Sequence, residues 1–251
     1  MKLNFKSLLS VLIAYNKRNF MKNYLIIGGS KGIGKEICST LISGDNLVYS
    51  TYNKTEPPPD NDLLKYHHCN VTDDKLDFSY LPDTLDGLAY CPGSINLKPF
   101  GRIKPEEFSE DFNFQVVGAV KVLQAVMPHL KKSSSASIVL FSTVAVQTGF
   151  SFHAQVAASK GAIEALTRSL AAELAPNIRV NCIAPSLTDT PLAASLLNTE
   201  DKKAAAAQGH PLKRFGSVSD MANMAEFLLS EKSSWVTGQV FHVDGGISSL
   251  K

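Results

Sequence analysis

Short runs of consecutive apolar residues alternate along this chain with longer stretches of mixed character, a pattern that predicts strands separated by helices. Residues 24–27 form an unbroken apolar run. A strand with no polar alternation is one buried on both faces. Residues 47–51, 66–71, 87–90, 137–141, 178–183 and 239–243 read as further strands. Between them, residues 32–41, 106–130, 157–174 and 219–230 have helical length and spacing. This alternation predicts an α/β fold, a Rossmann-type doubly wound parallel sheet of about seven strands with helices on both faces.

Two connections depart from the rhythm. Residues 53–65 contain Pro57, Pro58 and Pro59, and a stretch so short and proline-rich predicts an extended loop in place of a crossover helix. Residues 188–215 form a long connection with an alanine-rich helical stretch at 202–208, placed to act as a lid. No repeat or low-complexity linker divides the chain, so residues 23–251 read as one domain. Residues 1–22 carry a short apolar run flanked by lysines. The run is too short to span a bilayer and is read as an N-terminal extension or an upstream start, in preference to a targeting signal.

Immediately after the first strand comes Gly28-Gly29-Ser30-Lys31-Gly32-Ile33-Gly34. Gly28 allows the tight turn, Gly32 a close backbone approach to a pyrophosphate, and Gly34 close packing of helix on strand. Helix N-terminal amides then face the anion. A glycine-rich turn alone is a weak signal; between a buried strand and a helix it points to a dinucleotide cofactor. The second strand ends Thr51-Tyr52-Asn53-Lys54 with no acid to hold the ribose hydroxyls of NAD. Lys31 and Lys54 can instead pair with a 2′-phosphate, so NADP(H) is favoured over NAD(H). The plain alternative is that both are solvated surface lysines.

Charge narrows the partners. Twenty-five Lys and Arg against 23 Asp and Glu give a formal charge of +2, which makes no electrostatic case for nucleic acid or an anionic membrane. Four dispersed cysteines without a CxxC pair suit a reducing, cytoplasmic setting. His67-His68-Cys69 is read as a strand end and not as a metal site, because adjacent strand residues point to opposite faces.

The glycine loop, Asn70-Val71 after the third strand, the run 179–185 and the run 235–246 together resemble the short-chain dehydrogenase/reductase family, and the likeness extends from Asn23 to the C-terminus. By appearance the nearest subgroup is the 3-oxoacyl-(acyl-carrier-protein) reductases. The resemblance implies a carbonyl or alcohol substrate, a nicotinamide cofactor and a homodimer or homotetramer. It places the cofactor on Gly28, Ser30, Lys31, Gly32, Ile33, Gly34, Asn53 and Lys54, on Asn70, Val71 and Gly93, and on Lys160, Pro185, Thr188 and Thr190. The long helices, rich in small residues such as Ala157, Ala158, Gly161, Ala162 and Ala165, would pair across a two-fold axis.

Family members protonate the substrate oxygen from a tyrosine four residues before a lysine. Lys160 matches the lysine, but Val156 occupies the tyrosine position, and no tyrosine follows Tyr90 anywhere in the chain. The family serine falls on Thr143, with Ser142 as the neighbouring alternative, and the helix asparagine on Gln115. Pro185-Ser186 stands where the family has Pro-Gly. His153, three residues before Val156, is a candidate replacement donor by its near-neutral titration; its plain alternative is a loop histidine facing solvent. Tyr90 is a further candidate. Three functions stay open: an NADP(H)-dependent oxidoreductase with altered proton delivery, a catalytically impaired NADP(H)-binding protein that senses or assembles, or a lyase, dehydratase or isomerase that uses the site differently.

Overall fold

The computed structural model describes residues 21–250. The extension expected over 1–22 therefore lies, apart from its last two residues, outside the described residues. Seven strands form one sheet: β1 (Asn23–Ile27), β2 (Leu47–Tyr52), β3 (Leu64–His68), β4 (Gly87–Tyr90), β5 (Ala136–Phe141), β6 (Ile178–Pro185) and β7 (Val240–Val243). Their order is β3-β2-β1-β4-β5-β6-β7 and every pairing is parallel. The predicted doubly wound sheet is therefore present. Chain direction across the sheet reverses between β1 and β4, and in such sheets ligands bind beyond the strands' C-terminal ends at that reversal.

The main helices are α1 (Gly32–Ser43), α2 (Pro105–Phe112), α3 (Gly118–Leu130), the short α4 (Ala145–Thr148), α5 (Ala154–Leu174), α6 (Glu200–Gly209) and α7 (Val218–Leu229). On one face of the sheet Ile37 and Leu41 of α1 and Ala225 and Leu228 of α7 cover Ile26, Val48 and Val139. On the other, Val122 and Val126 of α3 and Ile163 of α5 cover Leu25, Leu88 and Ile138. Each such aliphatic side chain contributes roughly 1.5–3 kcal/mol by leaving water. Among the described residues no helix is long and apolar enough to cross a membrane.

Several boundaries differ from the expected ones, each for a local reason. The helix expected over 106–130 is interrupted by a π-helical turn at Asn113–Val117. There the Gly118 amide bonds back to the Asn113 carbonyl, and the Phe114 carbonyl receives the Tyr90 hydroxyl at 3.0 Å. Gly118 leaves room for that hydroxyl, because a Cβ on it would lie 2.8 Å from Tyr90 Oη. Tyr90 is thus buried in the core with its pKa pushed up by burial. It does not point into the site and is withdrawn as a proton donor.

The third strand covers Leu64–His68 and not 66–71. Asn61 Oδ1 accepts the Leu63 and Leu64 amides at 2.9 Å each and starts the strand early. At its far end Asn70 Oδ1 accepts the Thr72 hydroxyl at 2.9 Å, which turns the chain out of the sheet. Helix α5 begins at Ala154, three residues before the expected 157, so Val156 lies in its first turn. The proline-rich stretch after β2 holds no helix, as expected, while the alanine-rich stretch expected at 202–208 forms α6 over Glu200–Gly209.

Candidate active site and cofactor cleft

The turn after β1 is shaped by its glycines. Gly28 has φ +79° and Gly32 φ +57°, a region that costs an ordinary L-residue about 1–2 kcal/mol. Gly34 is required for a different reason: a Cβ there would lie 2.3 Å from the Gly28 carbonyl oxygen. The Gly28 amide is held by Thr51 Oγ1 at 3.0 Å, which ties the turn to the end of β2. No side chain caps α1, and its first turn carries no acid. Its N-terminal amides are therefore left for an external anion.

A cleft of about 820 Å³ opens over this turn. Gly28, Ser30, Lys31, Gly32, Ile33 and Gly34 line it from the loop, Asn53 and Lys54 from the end of β2, and Asn70 and Val71 from beyond β3. Gly93 and Thr190 close its inner end. Asn53 donates to Asn70 Oδ1 at 3.3 Å across the rim. Lys31 and Lys54 are both exposed, and neither side chain has a hydrogen-bonding or ionic partner among the described residues. A dinucleotide fits this arrangement: uncapped amides face its phosphates, and two uncommitted cations flank the strand end that lacks a carboxylate.

A second cavity, of about 470 Å³, adjoins the cleft and shares Ile33, Cys91, Gly93, Thr190 and Leu192 with it. Thr143, Ser142, Lys160, His153, Pro185 and Thr188 all line it, as does Val156. The residues expected for chemistry are thus brought together, with Gln115 buried just behind the wall. A Cβ placed on Gly93 would lie 3.9 Å from both Gln115 Oε1 and Lys160 Nζ. Both polar atoms therefore face the junction of cleft and cavity.

Their states differ. Lys160 Nζ has no hydrogen-bond partner among the described residues, and burial pulls its pKa down to about 8, against the opposing pull of Cys182, Asp111 and Cys91. Gln115 donates through Nε2 to both oxygens of Asp111 at 2.8 Å, while its Oε1 is buried without a partner. An unsatisfied buried carbonyl oxygen costs on the order of 1–3 kcal/mol. It is the kind of atom a ligand or water completes.

The two hydroxyl candidates separate cleanly. Ser142 donates to Glu164 Oε1 at 2.8 Å in the core. Thr143 Oγ1 makes only a 3.3 Å contact, as acceptor from the Ala145 amide, so its proton is uncommitted. Of the pair, Thr143 is the group able to hold a substrate oxygen. His153 occupies the N-cap position of α5 without bonding its amides, and meets the Ser151 carbonyl through Nδ1 at 2.8 Å, with its ring against Phe150. It stands at the cavity's rim.

Sequence reasoning missed the carboxylate on which this network is built. Asp111 is buried and also receives the hydroxyls of Ser94 and, at 2.6 Å, Ser159. Its position four residues before Gln115 on neighbouring helical turns is a spacing that brings side chains together, so a signal for it existed. It also missed His210, which is buried in the cavity wall with Nε2 2.8 Å from Ser186 Oγ. A separation of 24 positions between these two left no pattern to find.

Comparison with known proteins matches this architecture. A family profile described as enoyl-(acyl carrier protein) reductase matches residues 28–248. A tropinone reductase homolog of Arabidopsis thaliana is 33% identical over 242 residues, covering 90% of this chain and 92% of the relative. A 3-oxoacyl-(acyl-carrier-protein) reductase of Thermotoga maritima is also 33% identical over 242 residues, covering 89% of this chain and 96% of the relative. The crystal structure of a short chain dehydrogenase family protein from Francisella tularensis superposes with a TM-score of 0.82 at 27% identity, over 92% of this chain and 100% of that one.

Proposed function

This chain belongs to the short-chain dehydrogenase/reductase family, and from that premise we propose that it is an NADP(H)-dependent oxidoreductase acting on an uncharged, apolar carbonyl or alcohol, with proton delivery altered at Val156. The observation that carries this reading is the meeting of cleft and cavity at Gly93, with Lys160 Nζ and Gln115 Oε1 both unpartnered there. When bound, the nicotinamide cofactor supplies the hydride. The chain's own residues do the rest.

The uncapped amides at the head of α1 would hold the pyrophosphate, with Ser30 and Ile33 shaping the loop around it. Lys31 and Lys54 flank the 2′-phosphate, and Asn53, Asn70 and Val71 line the adenosine end. Lys160 would bind the nicotinamide ribose, and Pro185, Thr188 and Thr190 would wall the nicotinamide side. Thr143 donates to the substrate oxygen and orients the carbonyl. Ile95, Leu97, Val144, Phe150, Leu187 and Leu196 line the cavity with hydrocarbon, and among the described residues no acidic or arginine side chain lines it. Away from Lys160 this wall offers no ionic partner, so a substrate that loses its water against it is best uncharged there.

Hydride transfer depends on positioning, which the site retains. A missing general acid lowers the rate by about 10²–10⁴-fold without abolishing it. Purified protein should accordingly oxidise NADPH slowly with a panel of aromatic and alicyclic ketones, and Lys160→Ala should remove that activity. Val156 equally favours a second reading, a binding protein without chemistry. Tight NADPH binding with no turnover above background across the panel would select it.

Cofactor preference has its own test. Lys31→Ala should weaken NADPH binding about tenfold, the loss of one charge-assisted contact worth about 1.4 kcal/mol, and leave NADH binding nearly unchanged. Fluorescence titration of both nucleotides reads this directly; equal loss for the two would refute the phosphate assignment. For assembly, Ala158 and Ala165 of α5 are exposed small residues on a face of the helix away from the sheet, which supports a homodimer or homotetramer. Light scattering decides between these and a monomer.

A further inference from the structure

We propose that Ser186 and His210 form a proton relay that serves the substrate oxygen in place of the side chain missing at Val156. The inference rests on the oxidoreductase reading above and assigns its acid. Five hydroxyl groups besides Ser186 line the cavity, and four of these are committed elsewhere. Ser94 donates to Asp111 and Ser142 to Glu164. Thr188 donates to the Ser186 carbonyl at 2.9 Å and Thr190 to the Thr188 carbonyl at 3.3 Å. Thr143 is uncommitted, but nothing stands behind it to replace a proton it gives up.

Ser186 differs. Its Oγ is 2.8 Å from His210 Nε2, and His210 Nδ1 is 2.7 Å from the Ala206 carbonyl oxygen. A carbonyl only accepts, so Nδ1 carries a proton and donates it. Nε2 is then the exchanging nitrogen, and it faces the serine. This is the arrangement in which a hydroxyl is backed by a base held in one tautomer by a third group. An imidazole ordinarily titrates near neutrality, which lets it both give and take the proton.

Position supports the role. Ser186 directly follows β6 and Thr143 follows the adjacent β5, so the two stand at the ends of neighbouring strands ~4.8 Å apart. The Val144 amide bonds the Pro185 carbonyl at 3.1 Å and fixes the two segments side by side. Both residues face the same cavity as Val156 and Lys160.

In the reducing direction, a bound reduced nicotinamide would supply hydride to the carbonyl carbon, and the C=O π pair would be left on oxygen. That oxygen takes the Ser186 proton as the serine O–H bond breaks. Ser186 Oγ takes the Nε2 proton of the His210 imidazolium, leaving neutral His210 to be reprotonated by solvent. In the oxidising direction each proton moves the opposite way and neutral His210 is the terminal base.

The test uses the full chain with NADPH and the ketone panel. Ser186→Ala and His210→Gln should each lower kcat about 10²-fold, the double variant should be no worse than either single, and Ser186→Thr should keep most of the rate. Groups acting as one unit show this non-additivity. Independently of turnover, ¹⁵N NMR of the ligand-free protein should show His210 Nδ1 protonated, and Ser186→Ala should move the Nε2 resonance while leaving Nδ1 in place. Ser186→Gly provides a second route to the same loss should the alanine variant misfold. Wild-type rates in Ser186→Ala and His210→Gln, or an Nε2 signal indifferent to Ser186, overturn the relay alone. Wild-type protein that binds NADPH yet turns over nothing overturns the oxidoreductase reading as well.

Discussion

Replacing Lys160 with methionine should stabilise the ligand-free protein by about 3 kcal/mol at pH 7 while lowering its turnover at least about 10²-fold. Folded Lys160 titrates near 8 because burial disfavours its charge, against 10.5 for an ordinary lysine. At pH 7 the folded and unfolded chains both carry the proton, so the native state bears the whole desolvation cost. Between pH 8 and about 10.5 the native lysine has released its proton and the unfolded one has not. Wild-type stability therefore rises across that window and levels off above it. Methionine fills a similar volume without the charge, so its advantage should be full at pH 7 and shrink toward pH 10.5. Asp111 keeps its hydrogen bonds from Ser94, Gln115 and Ser159 in the variant, so no new buried charge is orphaned. Urea denaturation of both proteins at pH 7 and pH 10 measures the effect, and equal stabilities at pH 7 would contradict it.

Gly34→Ala should have an opposite and comparably large effect, destabilising the protein by about 3 kcal/mol. The added Cβ would meet the Gly28 carbonyl oxygen at 2.3 Å and Gly29 Cα at 3.1 Å. Both are backbone atoms of the same tight turn, which no rotamer change can move aside. At ~2–4 °C per kcal/mol for a chain of this size, melting should fall by about 6–12 °C. Separating Gly28 from α1 also tilts the amides away from the phosphates, so NADPH affinity should fall with it. A calorimetric scan and a nucleotide titration check the two halves. A melting temperature within 2 °C of wild type would mean that the turn relaxes at little cost.

Much of this was legible in the sequence because the physics that made it was local. Unbroken apolar runs such as residues 24–27 can only be central strands, and the glycines of the first turn announce their own backbone needs. Most of the expected cofactor residues lie within a few positions of strand ends, which is why twelve of them line the cleft, while Pro185 and Thr188, and Lys160 from α5, line the adjoining cavity. What escaped depended on distant partners. The π-helical turn exists because Tyr90, on β4, donates to a carbonyl in the following helix, and nothing around Phe114 signals that. The early start of β3 came from a side chain, Asn61, that bonds the Leu63 and Leu64 backbone amides. Ser142 and Thr143 are indistinguishable as letters, and only the position of Glu164 separates them.

Leu192 and Thr190 belong to both cavities and stand on the long connection between β6 and α7. One segment thus borders both spaces, and its arrangement is a variable common to two equilibria. If cofactor occupancy biases how that segment lies against the smaller cavity, the gain in substrate affinity must be returned, by the same factor, as slower loss of the cofactor or its faster capture. Two ligands with no contact between them beyond a shared wall would then read as cooperative.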